Sequence, residues 1–587
     1  MSTPTMSSPN GTGNGSLPAK HEQIQDDFGD ISLGNMNTSE FVKPTKRESL
    51  AVHSNSDPPP NYSGYADFNQ PQTQGGLHRA LSDRHISFIG FGGGIGVGLF
   101  VGIGQSLAAG GPLGVFLSFA ITGVLVWCVI QSIGEIITKY PVEATFPGLG
   151  TRFVDPAVGF TIGWTYWLNM AISVAVEVTA IGILVEYWIT SVNAAVWIAI
   201  SLVAIYVFNV LPVRWYGETE VATACIKVIT LIGLMICSLV ITLGGAPDHH
   251  RRGFEYWRNP GPFVQFYDIP GALGRFLGFF YTLTNAAFAY GGTEVIVLAG
   301  AEAKNPSKQI PRNVRVFVYR LLFFYIFGSL LIGMIVPSNH PDLVNQNANA
   351  ASSPWVIAIK TAGIQVLPSI VNAAIITSAL SAGNTYMYIA ARTIRGIALT
   401  GQAPHFLTKT TKRGVPLYAV LVTAPFGLLG FLSVGSGGAP QAFTWLQSLI
   451  SLNNIINWGL LAVVYLRFYK AMKVQDISRR TLVWYGRFQP YTAWFAVIFS
   501  AIVCVFKGFP VFITYGGRTF DVRDFIANYI SFLLYLIPYV SYKVIMRSKM
   551  VKPEEADLTS GIINPWDIKE EPEAKTWYGR LFRKITC

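Results

Sequence analysis

Ile86-Ser-Phe-Ile-Gly-Phe-Gly-Gly-Gly-Ile-Gly-Val-Gly-Leu-Phe-Val-Gly-Ile-Gly104 is apolar enough to enter a bilayer, yet Gly92, Gly93, Gly94, Gly96 and Gly98 stand at its middle. Each glycine costs a helix about 1 kcal/mol relative to alanine. Five within seven residues therefore predict a helix broken at membrane depth. Broken backbone is tolerated there only where protein or a wet cavity satisfies the freed N–H and C=O groups. The amides that open the second half-helix, at Val97, Gly98 and Leu99, suit an anion, helped by the positive end of the helix dipole. The freed carbonyls before the break, around Gly94 and Ile95, suit a cation. A zwitterion such as an amino acid carries both charges.

A second interrupted stretch, Ala286-Ala-Phe-Ala-Tyr-Gly-Gly-Thr-Glu-Val-Ile296, carries Gly291 and Gly292 at mid-segment with a carboxylate, Glu294, behind them. Two interrupted apolar segments in corresponding positions point to a transporter built on inverted repeats, with its site between the breaks. Close helix packing through small residues is the competing reading. It spaces glycine at every fourth position and does not pile up five in seven residues.

Composition agrees with a membrane chain. Of 587 residues, 51% are hydrophobic and 13% charged, about half the charged share of a soluble domain. The net charge of +11 lies in short loops between apolar stretches, which fits a cytoplasmic membrane face and not a nucleic-acid partner. Five cysteines without zinc-site spacing indicate neither a disulfide framework nor a metal centre. There is no nucleotide-binding P-loop and no Ser/His/Asp constellation, so neither an enzyme nor an ATP-driven pump is expected, and no cofactor is called for.

Along the chain, residues 1–83 are polar, rich in Ser, Asn, Pro and Gly, and read as a disordered cytoplasmic tail. Lys20, Lys43 and Lys46 among its serines are either attachment points for turnover, which would bring a ubiquitin ligase or trafficking machinery to the cytoplasmic tails, or ordinary solvated lysines. Twelve apolar segments follow, near 86–108, 112–137, 157–187, 194–211, 219–243, 276–300, 315–337, 354–391 (an early Pro-containing amphipathic part, then a span from about 367), 416–434, 441–466, 491–513 and 525–546. They define a twelve-helix domain over 84–546. Lys and Arg concentrate in the even-numbered loops, which places both termini in the cytosol. Residues 547–587 form a C-terminal tail whose basic, apolar end with Cys587 could be acylated or simply soluble.

Ionisable residues inside spans are functional candidates by default. Asn169, Ser173 and Glu177 recur every fourth residue and share one helix face. That face either lines a cavity or glues helices together. Lys227, inside the fifth span, either carries a proton or serves as a fixed counter-ion. Glu294 can take a proton or cap freed amides. Glu135, at the inner end of the second span, suits a cytoplasmic gate. Phe288, with Ala289 and Tyr290, flanks the second break, where an aromatic can close over a substrate.

These residues resemble the amino-acid permeases of fungi, the yeast amino-acid transporter branch of the amino acid–polyamine–organocation superfamily. The resemblance runs through Gly92-Gly-Gly-Ile-Gly-Val-Gly-Leu-Phe-Val-Gly, Gly110-Gly-Pro-Leu-Gly, Ser132-Ile-Gly-Glu, Pro212-Val-Arg-Trp-Tyr-Gly-Glu, Gly292-Thr-Glu, Ser381-Ala-Gly-Asn-Thr and Arg413-Gly-Val-Pro. It covers residues ~80–550. It implies an all-α polytopic LeuT-type fold of two five-span inverted repeats plus two further spans. It also implies proton-coupled uptake of L-amino acids across the plasma membrane. The resemblance places the substrate carboxylate on the amides of Gly96–Gly98 and the amino group on carbonyls around Gly94 and Phe288–Ala289. Phe288 matches the aromatic gate, and Lys227 the lysine that replaces a sodium site. Val97 departs from the family, which has threonine there. Two other functions suit such a scaffold: a non-transporting amino-acid sensor, and a carrier of polyamines or other amines.

Overall fold

The computed structural model describes residue 88 and residues 95–140, 145–294, 306–344, 353–434, 439–560 and 562. The tail 1–83, Gly94, Glu143, Lys304 and Cys587 lie outside the described residues. Within them the chain is helical, without strands. Seven helices are long and apolar enough to cross a membrane, and two shorter apolar helices, Ala194–Val210 and Leu417–Ser433, join them. The protein is a polytopic all-α membrane protein.

The chain is irregular at Ile95 and bent at Gly96, then makes a π-turn, Gly98–Gly102, into α1, Ile103–Lys139. The sequence suggested two segments separated by Gly110-Gly-Pro. The structure has its corner there: Gly111, non-helical at φ 76°, kinks α1 and divides it into two helical runs. Only glycine suits this corner. A Cβ on Gly111 would lie 2.8 Å from the Pro262 carbonyl, and that carbonyl accepts the Leu113 N–H at 3.0 Å.

Next come α2, Phe146–Phe153, capped by Thr145, and α3, Pro156–Val185, capped by Asp155 with proline at its first position. Then follow α4, Ala194–Val210, and α5, Val213–Leu243, which ends on left-handed Gly244. The fifth segment was expected from about 219. The helix starts at Val213 instead, because its first two turns carry Arg214, Glu218 and Glu220, which a hydropathy reading assigns to a loop.

α6, Gly271–Ala289, stops at the second break, and Tyr290–Glu294 form turns with Gly292 at φ 75°. Beyond lie α7, Pro306–Arg320, α8, Gly328–Ile335, α9, Pro354–Thr361, and α10, Leu367–Leu399. The last four are α11, Leu417–Gly427, α12, Ala439–Val474, α13, Tyr491–Phe506, and α14, Val522–Met546.

α3 packs along α10, and α1 along α6. The apolar window of α3 is 83% buried and that of α14 only 11%. α3 is therefore the central helix, and α14 presents its apolar surface outward.

The C-terminal segment after α14 does not leave the domain at 547. Residues 548–560 cross the end of the bundle as a strap. Val551 N donates to the Val154 carbonyl at 2.9 Å. Tyr140 Oη donates to the Leu558 carbonyl at 3.0 Å, and Arg152 to the carbonyls of Asp557 (2.7 Å) and Ser560 (2.8 Å). Gln475 Nε2 donates to the Ala556 carbonyl at 2.7 Å, and Arg467 to that of Val551. Leu558 is 2% exposed, so the strap buries an apolar anchor as well.

Candidate substrate and coupling site

The two breaks meet. A Cβ on Gly98 would lie 2.6 Å from the Cα of Ala289, so the start of the half-helix and the end of α6 touch through backbone. α3 supplies the wall beside them. Its Asn169–Ser173–Glu177 face, all buried, turns toward the breaks.

Glu177 reaches furthest. The Val97 N–H donates to both its carboxylate oxygens, at 3.4 and 3.3 Å. A Cβ on Gly96 would lie 2.2 Å from Oε1. The amide on which a substrate carboxylate was expected is thus held by a carboxylate of the protein itself. Ser173 turns back, donating from Oγ to the Asn169 carbonyl at 2.8 Å. Asn169 Nδ2 donates to Asn454 Oδ1 at 2.8 Å, and Asn454 Nδ2 to the Ala287 carbonyl at 3.2 Å. This chain of amides pins α3 and α12 to the last turn of α6. Asn169 Oδ1 is buried without a hydrogen-bond partner and remains available as an acceptor.

The carbonyls have partners too. Ser378 Oγ donates to Ile95 O at 3.3 Å, and Trp355 Nε1 to Leu99 O at 3.4 Å. The Phe288 carbonyl accepts Gly291 N at 3.0 Å. Gly94 lies outside the described residues.

Phe288 is buried in one apolar cluster with Val97, Ile172, Val176 and Leu446 and meets Phe443 edge-on at 6.3 Å. It covers the break from the α12 side. Tyr290 points elsewhere. Its hydroxyl donates to the Phe119 carbonyl at 2.8 Å and its ring stacks on Tyr325 at 4.5 Å. Its side chain joins α6 to α1, away from the amides at Val97.

The ionisable residues singled out from the sequence lie in three places. Lys227 of α5 has two carboxylates in electrostatic reach, Glu220 and Glu177, with Arg320 as a nearby like charge. Ser381 Oγ donates to Glu220 at 3.0 and 2.9 Å. Glu294 stands apart from these. It accepts from Trp458 Nε1 at 3.4 Å and has the Tyr166 hydroxyl beside it. Glu135 belongs to the far end of α1. Arg479 grips it with Nε and Nη2 at 2.9 and 2.8 Å, and Gly486 N donates to it at 2.8 Å. This two-pronged pairing latches α1 to the 475–490 connection.

Glu220, Ser378 and Asn454 were not singled out from the sequence, and Ser381 entered only as part of a family motif. Glu220 and Lys227 lie seven residues apart, two turns along one helix face, and that spacing was a usable signal once the helix began at Val213. Asn453, Asn454 and Asn457 in one apolar stretch were another.

The site therefore joins an opened backbone, a resident carboxylate on its free amide, a buried lysine and an aromatic cover. Such a set can exchange one carboxylate for another and balance the charge left over. Among the described residues no three His, Cys, Asp or Glu side chains are placed to hold a metal ion.

A family model described as amino acid permease matches residues 85–554. The chain is 38% identical over 525 residues to the basic amino-acid permease of Saccharomyces cerevisiae, covering 88% of this chain and 89% of that one. It is 39% identical over 514 residues to a proline-specific permease of Emericella nidulans, covering 86% and 92%. With the dicarboxylic amino acid permease of Saccharomyces cerevisiae it shares 36% over 488 residues, covering 82% and 79%.

Proposed function

Because this chain belongs to the amino acid permease family, it is an amino-acid transporter and not an enzyme, and we propose that it is a proton-coupled symporter of L-amino acids at the plasma membrane. It works by alternating access around the two breaks. Both termini lie in the cytosol, and the tails there meet the ubiquitin-ligase and trafficking machinery. No cofactor takes part; the proton gradient drives uptake.

The observation that carries this reading is the Val97 amide held by Glu177. A substrate α-carboxylate that takes this amide must displace Glu177. The displaced carboxylate sits in a buried place, where an uncompensated charge is costly. It is neutralised by a proton or by Lys227, so amino-acid binding and proton binding become linked. The substrate amino group meets the acceptors near the break, of which Asn169 Oδ1 is unpartnered. Phe288 closes over the side chain, and Glu294 is a second proton site behind the α6 break.

Three relatives of nearly equal identity are named for basic amino acids, proline and dicarboxylic amino acids. Side-chain choice thus rests on a few residues around Phe288 and not on the shared framework. The test is uptake of a labelled amino-acid panel into cells lacking their own permeases, with and without a proton uncoupler. Concentrative uptake that collapses with the uncoupler and needs the α-carboxylate supports the symporter. Surface-located protein that carries amines lacking a carboxylate, or carries nothing, overturns it.

A further inference from the structure

Ser378-Ala-Leu-Ser-Ala-Gly-Asn-Thr385 of α10 contains the family motif that begins at Ser381. In the structure, about two turns of it touch three separate parts of the site. Ser378 Oγ donates to Ile95 O at the first break. A Cβ on Gly96 would lie 3.3 Å from Ala382 Cβ, and one on Gly383 would lie 3.5 Å from Glu177 Cβ. Ser381 Oγ reaches the other way, to both oxygens of Glu220. Thr223 Oγ1 donates to Ser381 Oγ at 3.0 Å, and Tyr216 Oη to Thr385 Oγ1 at 3.3 Å.

Glu220 is 1% exposed, Lys227 1%, Ser381 4% and Thr385 0%. A carboxylate so buried is costly unless paired and hydrogen-bonded. Helix geometry places Glu220 two turns before Lys227 on one face of α5, about 10 Å earlier along the axis, and long side chains lean toward the N-terminus of their helix. Glu220 and, on α3, Glu177 are the two carboxylates within electrostatic reach of the lysine.

We propose that Glu220 is a positioning residue for Lys227: with Ser381 it makes a second anionic seat for the ammonium, opposite Glu177. This deepens the proton-coupled reading above and rests on it. When Glu177 holds the Val97 amide, Glu220 carries the lysine. When substrate displaces Glu177, the ammonium is drawn to it, and the Ser381–Glu220 bonds slacken on the helix that also contacts the break through Ser378. The sharing of one cation between two carboxylates is the link between proton movement and the opened backbone.

The experiment uses the full chain in proteoliposomes and compares two readouts for the same labelled amino acid. One is uptake driven by an imposed pH gradient; the other is counterflow exchange at equal pH, which needs substrate binding and reorientation but no net proton flux. For Glu220→Gln, gradient-driven uptake should fall by about tenfold or more, within the usual range of coupling between sites, while exchange stays near wild type. Glu220→Asp should recover some of the driven uptake, and Ser381→Ala should fall between.

Equal values for Glu220→Gln and wild type in both readouts overturn the proposal. So does a parallel loss of both readouts in protein of normal amount and melting temperature, which marks a purely structural or substrate-binding role. If Glu220→Gln does not fold, Ser381→Ala and Glu220→Asp are read against the same two outcomes. The wild-type arm tests the underlying reading separately: uptake indifferent to the pH gradient sinks symport itself, whatever the variants do.

Discussion

At the residue scale, two neighbouring glycines of the first break do different work. Gly96 faces the tip of a flexible side chain, the Glu177 carboxylate. Gly98 faces backbone, at Ala289. A methyl group at Gly96 pushes the carboxylate off the Val97 amide and leaves the fold intact. A methyl at Gly98 must force a pair of helices away from each other. Overpacking of that kind costs about 1–3 kcal/mol. Gly96→Ala should therefore keep its melting temperature while its uptake falls by about fivefold or more, the lower end of a usual coupling energy. Gly98→Ala should lower the melting temperature measurably. Gly233→Ala, with nothing within 4 Å of the new atom, is the neutral control. A drop in stability for Gly96→Ala equal to that for Gly98→Ala would contradict this division. The glycine cluster was legible in the sequence; which glycine faces a carboxylate and which faces backbone was not.

At the element scale, the helices follow from local rules. Asp155 and Asn193 start helices by accepting the amides of Ala157 and Ala195, and the expected start of the eighth span near 367 is where α10 begins, at Leu367. The element that escaped was the opening of α5, whose charges resemble a loop. What joins the elements is less local still. The Glu135–Arg479 latch spans 344 residues of sequence and seals the end of α1. Removing one partner of a buried pair leaves a charge without compensation, at about 3–5 kcal/mol. Arg479→Ala is expected to lose most of its cell-surface protein. The double variant Glu135→Gln with Arg479→Gln removes both charges and should recover a clear share of it. Surface level by biotinylation checks both, and no recovery in the double variant would show that the loss does not come from the stranded carboxylate.

At the scale of the whole molecule, the strap 548–560 ties Tyr140 and residues 152–155 to the end of α12 and thus fastens early and late regions of the chain together. Asp557 is its polar anchor. Burial raises its pKa, but hydrogen bonds from Ser560 and from the Ser560 and Thr559 amides, with the Arg152 charge, outweigh this and bring it from 3.8 down to about 2. A depressed carboxylate contributes stability that is complete above its unfolded value and is lost as pH falls through the folded one. Protection of the Val551 and Ser560 amides, taken relative to their intrinsic exchange rate at each pH, should therefore stay high above about pH 4 and fall as pH drops toward about 2. Protection that is already lost at pH 5 would show that Asp557 does not anchor the strap. Hydropathy, glycine content and loop charge are local along the chain, and by themselves they determined a many-span helical membrane protein with two broken helices and the expectation of a zwitterion between them. Only the tertiary structure decided which partner each buried charge takes: Glu177 on the Val97 amide, Glu220 on Ser381, Glu135 on Arg479, and Tyr290 turned away to Phe119. The physical reason is that a charge inside a bilayer is settled by the nearest group on another helix, and that neighbour is chosen by packing across tens or hundreds of residues of sequence.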